Sequence, residues 1–365
     1  MRHPGDLSAL AGLIAAGVLR AGEVVAVIGK TEGNGGVNDF TRGYFTQPLM
    51  ALLARHTGED AEALQARIPC VLSGGTEGVL SPHYLVFSRA ASVHAPHDHG
   101  AGAAALAVGV AMSAPMAAED IGRAAHIRSV AQAVRRAMDD AHIASAADVR
   151  LVQVKCPTVT VAAEQEAAAR GRAVVSADPN RAMAYARVAG AFGVALALGE
   201  LQDDPEILAE AALVDFGRFS PRASISSGVE VRCNEVIVLG HSSAWTGPLR
   251  MACRPMADAL DIGAVFEACA ELGLPMDRHQ LTPEAAARVA GVLVKCEPDR
   301  RGRVRGHRHT MLDDIDINAQ RHIRGALAGL VAGVLGDGRL FVSGGAEHQG
   351  PDGGGLVALI AHQAH

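Results

Sequence analysis

The hydrophobic positions of the chain follow the same order three times. In each passage a short valine-rich run ends in a lysine, and a stretch with helical spacing follows. A second short apolar run then leads into a serine motif, and a third apolar run closes the passage. The three lysines are Lys30, Lys155 and Lys295. Short β-branched runs that alternate with helical patterns predict an α/β protein built from three related units.

The serine motif is the most regular part of the repeat. It reads Ser-[Gly/Ser]-Gly-x-Glu and begins at Ser73, Ser226 and Ser343. The second copy alone has a serine, Ser227, where the others have glycine. A glycine lets the backbone approach a ligand closely, and its N–H can bind an oxyanion. Because every copy keeps both a lysine and a serine, we predict one site built jointly by the three units.

An arginine marks the predicted helix of each unit. Arg187 and Arg324 stand at the same offset before a glycine that suits a helix C-terminus. These two glycines are Gly199 and Gly336, and Arg42 is the counterpart in the first unit. We expect the three arginines near the start of a helix, at the same corner of each unit.

Changes in composition predict the boundaries between the units. Residues 94–102, rich in His, Pro and Gly, indicate the first linker, and residues 242–255 indicate the second. The predicted units are therefore residues 1–100, 103–245 and 253–365.

Composition narrows the classes of function. A chain of 365 residues with 49% hydrophobic and 20% charged residues is typical of a globular protein with two or three domains. A net charge of −6 leaves no basic surplus for a nucleic-acid partner. No apolar stretch is long enough for a membrane span, and the N-terminus lacks the layout of a signal peptide. Six cysteines do not indicate a disulfide framework, so we expect a cytoplasmic protein.

The recurring Lys, Arg and Ser predict hydrolysis of a cyclic amide. Converging positive charges lower the pKa of a lysine, and a neutral lysine can activate a serine hydroxyl as a nucleophile. Three equal sets of Lys, Arg and Ser suit a small ring with alternating carbonyl and N–H groups. The residues alone leave open which copy reacts, and they leave open a non-catalytic protein that only binds a small ring.

Five segments resemble the ring-opening amidohydrolases, the family of cyanuric acid hydrolase and barbiturase. They are residues 29–35 (GKTEGNG), 38–43 (NDFTRG), 72–78 (LSGGTEG), 224–230 (SISSGVE) and 342–355 (VSGGAEHQGPDGGG). The resemblance implies an α/β fold of three homologous domains around a pseudo-threefold axis, with the strands in a central β-barrel and the helices outside. It also implies opening of the s-triazine ring of cyanuric acid to carboxybiuret, which loses CO₂ to give biuret. A barbiturase that opens barbituric acid is the alternative.

The resemblance assigns a role to each recurring residue. Ser226 would be the nucleophile, with Lys155 as its base. The other two serine–lysine pairs would polarise the other ring carbonyls, and the arginines and three backbone groups would bind the ring. These remaining substrate-binding residues are Lys30, Lys295, Ser73, Ser343, Arg42, Arg187, Arg324, Gly74, Ser227 and Gly344. The segment around Ala319 and Gln320, one turn before Arg324, is expected to tune the choice of ring by approaching one ring edge.

The resemblance also implies a structural divalent cation, Mg²⁺ or Ca²⁺, in the third unit, and no catalytic cofactor. One carboxylate with several backbone carbonyls is a ligand shell that suits such hard cations. The cation would stiffen the loop that carries Ser343. Its ligands would be Glu297, Ala346, Gln349, Gly350, Pro351 and Gly354. Besides a small cyclic imide as substrate, the expected partners are further copies of the chain in a homotetramer.

Overall fold

The computed structural model describes residues 1–90 and 104–364. It is a mixed α/β fold, as the sequence predicted, with three main sheets and two additional two-stranded hairpins in the described residues. We call the parts of the chain that form the three main sheets units A, B and C. The predicted linker at 94–102 lies outside the described residues. None of the helices within 1–90 and 104–364 is both long and apolar enough to cross a membrane.

Unit A begins with a helix and then forms a three-stranded sheet. A short 3₁₀ turn leads into the first strand, and two helices separate that strand from the second. Its elements are α1 (Ser8–Ala15), the 3₁₀ turn (Ala21–Glu23), β1 (Val24–Thr31), α2 (Thr41–Thr57), α3 (Ala61–Gln65), β2 (Cys70–Gly74) and β3 (His83–Ser88).

Unit B follows a similar order, with an added strand in front and a third helix between its first helix-flanked strand and the serine strand. Its elements are β4 (Ala105–Met112), α4 (Ala124–Asp140), a 3₁₀ turn (Ala146–Asp148), β5 (Val149–Pro157), α5 (Val161–Ala169), α6 (Pro179–Ala197), α7 (Pro205–Ala211), β6 (Ala223–Gly228) and β7 (Glu235–Ser242).

Unit C has the same added strand and carries the two hairpins. Its elements are β8 (Leu249–Met256), α8 (Ile262–Glu271), β9 (Met276–Asp277), β10 (Gln280–Leu281), α9 (Pro283–Arg288), β11 (Val289–Cys296), β12 (Arg303–Val304), β13 (His307–Arg308), α10 (Ala319–Leu335), β14 (Phe341–Gly344) and β15 (Gly355–His362).

The three sheets share one arrangement of strands. In each, the strand that ends in the lysine lies between the parallel serine strand and an antiparallel closing strand. The orders are β2-β1-β3, β4-β7-β5-β6 and β14-β11-β15-β8. In the described residues these remain three separate sheets, so a closed hydrogen-bonded barrel is not found. Strand β8 pairs with β15 along its whole length, so residues 249–255 belong to a sheet and not to the predicted linker.

Side chains on each sheet alternate between two cores. One face packs against the helices of its own unit. The other faces of all three sheets meet in one central apolar cluster, which includes Ile28, Leu151 and Leu293. Because side chains alternate along a strand with a period of two, the lysine two or four positions further along each strand faces the same centre. The repeat therefore directs all three lysines toward one place.

The arginines do not all lie where the sequence placed them. Arg42 is the second residue of α2, and Arg324 lies in the second turn of α10. Arg187, however, lies in the middle of α6, so its predicted place near a helix start is wrong. Helix α6 begins earlier because Pro179 occupies its first turn and the side chain of Asp178 accepts a capping hydrogen bond.

The predicted ends of α6 and α10 are confirmed. Gly199 and Gly336 follow the two helices with φ of 70° and 73°. Residues with a side chain rarely adopt this left-handed conformation, which explains the glycines.

Candidate functional site

Each lysine lies beside the serine of its own unit. The two residues occupy the same register position on neighbouring parallel strands, close to the carboxyl ends of both strands. The register pairs are Lys30 with Ser73, Lys155 with Ser226, and Lys295 with Ser343. All six residues are buried. The sequence repeat therefore corresponds to a structural repeat, in which each lysine and its serine take the same position in their sheet.

A small cavity lies where the three sheet ends meet, and all three units line it. It is lined by predicted site residues together with three residues that sequence reasoning missed. The predicted residues are Arg42, Ser73, Gly74, Lys155, Arg187, Ser226, Ser227, Arg324, Ser343 and Gly344, and the others are Gly35, Leu72 and Met183. Of the predicted substrate-binding set, only Lys30 and Lys295 do not line the cavity.

Lys30 and Lys295 lie behind the serines that they support. Lys30 Nζ donates to Ser73 Oγ at 3.2 Å and to the carbonyl of Gly74 at 3.1 Å. Lys295 Nζ donates to Ser343 Oγ at 3.1 Å and to the carbonyl of Gly344 at 3.0 Å. Each lysine thus orients a serine hydroxyl at the cavity wall.

Lys155 has different partners. Its Nζ donates to the carbonyl of Leu72, in unit A, at 3.2 Å. It also forms an ion pair with Glu230, with 2.6 Å between Nζ and Oε1. Lys155 forms no hydrogen bond with Ser226, whose Oγ lies 3.4 Å from Ser343 Oγ. The partner of the Lys155 ammonium group within unit B is therefore the Glu230 carboxylate and not Ser226.

Burial is the main electrostatic influence on the three lysines. It lowers the pKa of Lys295 to about 7, with a further contribution from the Arg187 charge. Burial also places the pKa of Lys30 well below its ordinary value. The pKa of Lys155 is lowered by burial, although Glu230 opposes the shift. The direction agrees with the sequence-based expectation, but desolvation contributes more than the expected repulsion between like charges.

The three arginines are neutralised by glutamates of a different unit. Each arginine of one unit pairs with the glutamate that ends the serine motif of the next, in the order A to B, B to C and C to A. The pairs are Arg42 Nε with Glu230 Oε1 at 2.7 Å, Arg187 Nε with Glu347 Oε2 at 2.7 Å, and Arg324 Nη2 with Glu77 Oε1 at 2.6 Å. We call these three ion pairs the arginine–glutamate ring.

Sequence reasoning missed the role of these glutamates, although the motif contained the signal. The glutamate ends every copy of the motif, as constant as the serine. The glycine two positions before it has a matching reason. A Cβ on Gly345 would lie 2.4 Å from Arg187 Nε, and one on Gly75 would lie 2.8 Å from Arg324 Nη2. In these two copies the motif therefore leaves space for an incoming guanidinium group.

The predicted cation site has one carboxylate, that of the half-buried Glu297. Glu297 Oε2 accepts the N–H of Ala346 at 2.8 Å, and Oε1 accepts from Gln320 Nε2 at 3.0 Å. Burial raises the pKa of Glu297 to about 8, and the neighbouring charge of Glu347 adds to the shift. A cation here would neutralise this crowded carboxylate, so the setting fits a positively charged ligand.

The backbone of the 346–354 loop contacts Glu297 and offers carbonyl oxygens as ligands. The carbonyls of Ala346, Pro351 and Gly354 each accept one backbone N–H and keep a second lone pair. The side-chain amide of Gln349 bonds to Ile225 N and the Gly345 carbonyl, so the backbone carbonyl of this residue is the atom that would bind a cation. Within the described residues no group of three or more His, Cys, Asp or Glu could hold a metal ion. The predicted shell is of another kind, with one carboxylate and carbonyl oxygens.

A known family matches nearly the whole chain. The profile of the family described as "Amidohydrolase ring-opening protein" matches residues 1–362. A cyanuric acid amidohydrolase from Azorhizobium caulinodans is 48% identical over 359 residues, which cover 98% of this chain and 95% of that protein. A cyanuric acid amidohydrolase from Pseudomonas sp. (strain ADP) is 44% identical over 358 residues, with 98% and 96% covered.

Solved structures agree with the sequence comparisons. A cyanuric acid hydrolase superposes with a TM-score of 0.93 at 43% identity, covering 99% of this chain and 97% of the other. The cyanuric acid hydrolase from A. caulinodans gives a TM-score of 0.88 at 46% identity, covering 99% and 96%.

Proposed function

Because the chain belongs to the ring-opening amidohydrolase family, we propose that this cyclic amide hydrolase opens the s-triazine ring of cyanuric acid. The product would be carboxybiuret, which loses CO₂ to give biuret. The observation that carries the proposal is the single cavity lined by a serine and an arginine from each of three units. Three equivalent carbonyls on a small ring match three equivalent sets of protein groups.

Ser226 is the proposed nucleophile and Lys155 its base. Among the three lysines only Lys155 lines the cavity, and burial lowers its pKa toward the neutral form that can accept a proton. Ser226 Oγ attacks a ring carbonyl carbon while its proton moves to Lys155 Nζ. The ring C–N bond then breaks and the nitrogen takes that proton. Water, activated by the same lysine, hydrolyses the acyl-serine and frees the hydroxyl.

The other two pairs position and polarise the ring. The hydroxyls of Ser73 and Ser343 each accept a hydrogen bond from a lysine, so each hydroxyl would donate its own hydrogen to a ring carbonyl oxygen. The arginines at the cavity wall carry positive charge, which favours the anionic form of an acidic imide. These contacts would hold the ring while Ser226 attacks.

We also infer a pseudo-threefold arrangement of the units, with the predicted boundaries 1–100, 103–245 and 253–365. The cyclic order of the arginine–glutamate ring supports it, since each unit contacts the next in an equivalent way. The common strand order of the three sheets supports it further. The homotetramer and the cytoplasmic location stay predictions, and light scattering of the purified protein measures the former.

We expect kcat/KM for cyanuric acid to exceed that for barbituric acid by roughly 5- to 150-fold. Barbituric acid replaces one ring nitrogen by CH₂, so a polar group of the protein loses its partner. An unmade buried hydrogen bond costs about 1–3 kcal/mol. Ammonia and CO₂ release measured on both rings side by side gives the ratio.

Two outcomes of that assay would contradict the proposal in different ways. A ratio of one or less would make the protein a barbiturase and leave the ring-opening chemistry intact. Absence of turnover with both rings, together with binding of either by calorimetry, would identify a non-catalytic ring-binding protein. A Gln320→Ala variant assayed in parallel tests whether this side chain, which accepts the N–H of Gly345 at 2.7 Å, tunes the ratio.

We propose that Glu297 and the 346–354 loop hold a structural divalent cation. The ligands would be the Glu297 carboxylate and the oxygens of Ala346, Gln349, Gly350, Pro351 and Gly354. The cation would supply positive charge that neutralises Glu297 and fixes the loop after Ser343. It has no part in bond making.

Mg²⁺ or Ca²⁺ is expected to raise the thermal midpoint of the metal-stripped protein, and Glu297→Ala is expected to remove this increase. A cation at 100 times its Kd adds about 2.7 kcal/mol to the free energy of unfolding. Calorimetry with and without each cation measures the effect. Glu284→Ala, an exposed carboxylate of the same unit, serves as the control and should keep the full response. An equal response in Glu297→Ala would contradict the site.

A further inference from the structure

The closing strand places a different residue opposite each of the three lysines. In the antiparallel register, the partners are His83 opposite Lys30, Glu235 opposite Lys155, and Leu356 opposite Lys295. Directly opposite residues share a face of the sheet, with Cβ atoms about 4.5–5.5 Å apart. The units are therefore equivalent in their lysines, serines and arginines but differ at this position, and only unit B has a carboxyl group there.

Glu235 and Lys155 both bind strand β2 of unit A. It is only 6% exposed, and its Oε2 accepts the N–H of Cys70 at 2.9 Å. Cys70 and Leu72 lie on β2, the edge strand of the unit A sheet, and Lys155 Nζ donates to the Leu72 carbonyl. Two opposed side chains of unit B thus bind alternate residues along one edge of unit A. Lys30 and Lys295 instead donate to the serine and glycine of their own units.

The three lysines differ in how many carboxylates lie near them and in what those carboxylates bind. Each lysine interacts electrostatically with the glutamate of one serine motif. In the order of the three lysines these are Glu77, Glu230 and Glu347. Lys155 also interacts electrostatically with Glu235. Glu297, the further carboxyl group near Lys295, is bound to Gln320 and to the Ala346 N–H.

Titratable and charged groups from three other segments of the chain surround the Lys155–Glu235 pair. Burial raises the pKa of Glu235 to about 7, with Lys155 opposing the shift. This carboxyl group therefore exchanges its proton near neutral pH. The other titratable or charged groups around the pair are Glu230, Arg42, Cys70 and Cys233.

We infer that Glu235 is the positioning residue that makes the second serine–lysine pair the reactive one. The inference rests on the proposed function, in which Ser226 attacks and Lys155 is its base. As the Ser226 Oγ–carbon bond forms, the serine proton moves to Lys155 Nζ. The ion pair with Glu230 and the charge of the Glu235 carboxylate, opposite Lys155 on the neighbouring strand, stabilise the resulting ammonium. The ammonium then returns the proton to the ring nitrogen as the C–N bond breaks. Glu235 acts through Lys155 and does not touch the ring.

The test compares the pH profile of kcat for the wild type and Glu235→Gln. Glutamine still accepts the Cys70 N–H but carries no charge. Without the carboxylate the pKa of Lys155 falls further, so the acid limb of the profile moves to lower pH by about one unit. The same change makes Lys155 a weaker base, so the plateau of kcat falls about tenfold. Glu235→Asp, which keeps the charge, is expected to leave the acid limb in place.

His83→Gln is the matched control, because it changes the equivalent position opposite Lys30. Its acid limb should stay with the wild type. An unshifted profile for Glu235→Gln, with or without a lower thermal midpoint, would overturn the inference and leave Glu235 a structural residue. Ser226→Ala is assayed alongside. If it turns over like the wild type, the proposed function of the second pair fails and this inference with it. If it is inactive while Glu235→Gln is unchanged, only this inference fails.

Discussion

Ser226→Ala is expected to reduce kcat by more than about 10³-fold, and Lys155→Ala is expected to do the same. The first removes the atom that attacks the ring, and the second removes the group that accepts its proton. Because the two act as one unit, the double variant should be little worse than either single variant. Steady-state assays on cyanuric acid measure all three. Circular dichroism should show folded proteins, since Ser226 Oγ has only a 3.4 Å contact with Ser343 Oγ, and Glu230 keeps Arg42 as its counter-ion when Lys155 is removed.

The serines of the other two units provide the comparison. Ser73→Ala and Ser343→Ala each remove a donor to a ring carbonyl, a loss of about 10²–10³-fold. These two serines are the ones whose hydroxyls accept a lysine hydrogen bond in the structure. If one of them proved to be the only inactive serine variant, the nucleophile would belong to that unit. The ranking of the three variants therefore decides which copy reacts.

Glu77→Gln is expected to lower the free energy of unfolding by about 3–5 kcal/mol. Glu77 and Arg324 are both buried, with side chains 9% and 6% exposed. Removing the carboxylate leaves the guanidinium group charged, desolvated and without its counter-ion. The variant should also raise KM, because Arg324 lines the cavity. Urea unfolding followed by fluorescence or circular dichroism measures the first effect.

An exposed ion pair is the control for this prediction. Glu59→Gln breaks the pair with Arg67, in which both side chains are 43% exposed. Surface pairs contribute about 0–1 kcal/mol, so this variant should resemble the wild type. Equal effects of the two substitutions would contradict the importance of the buried pair.

The effect of Glu77→Gln should depend on pH in a defined direction. Burial raises the pKa of Glu77, but the hydrogen bonds and charge of Arg324 outweigh burial and lower the pKa overall from 4.5. A carboxylate with a lowered pKa contributes stability above its ordinary pKa and loses it as the pH falls through the folded value. The difference between the wild type and the variant should therefore shrink below about pH 4.

The positions of the lysines and serines could be predicted because they depend on local rules. A strand that ends in a lysine, beside a parallel strand that ends in a serine, brings both to one sheet end. The period of two then turns them to one face, as it does for Lys30 and Ser73. The same reasoning recovered the α/β class, because the apolar runs are distinct.

The remaining features depend on contacts between distant parts of the chain. Lys155 bonds to Leu72, which lies 83 positions away in the sequence, and no local pattern indicates that preference. Arg187 pairs with Glu347, 160 positions away. The predicted start of α6 is wrong because the helix begins at the cap formed by Asp178, and not at the position counted back from Gly199. Local spacing thus brings each lysine to the serine of its unit, but it does not indicate the partners of Lys155 and Arg187.

The arginine–glutamate ring also bears on how cooperatively the protein unfolds. Each unit supplies the counter-ion for one neighbour and receives its own from the other. If one unit separated from the others, two arginines would lose their counter-ions. They are its own arginine and that of the unit before it. Partial opening therefore carries a penalty at two junctions at once. A chain made of three repeats, which in other proteins can fray one repeat at a time, is here closed into a circle with no terminal repeat from which fraying can start.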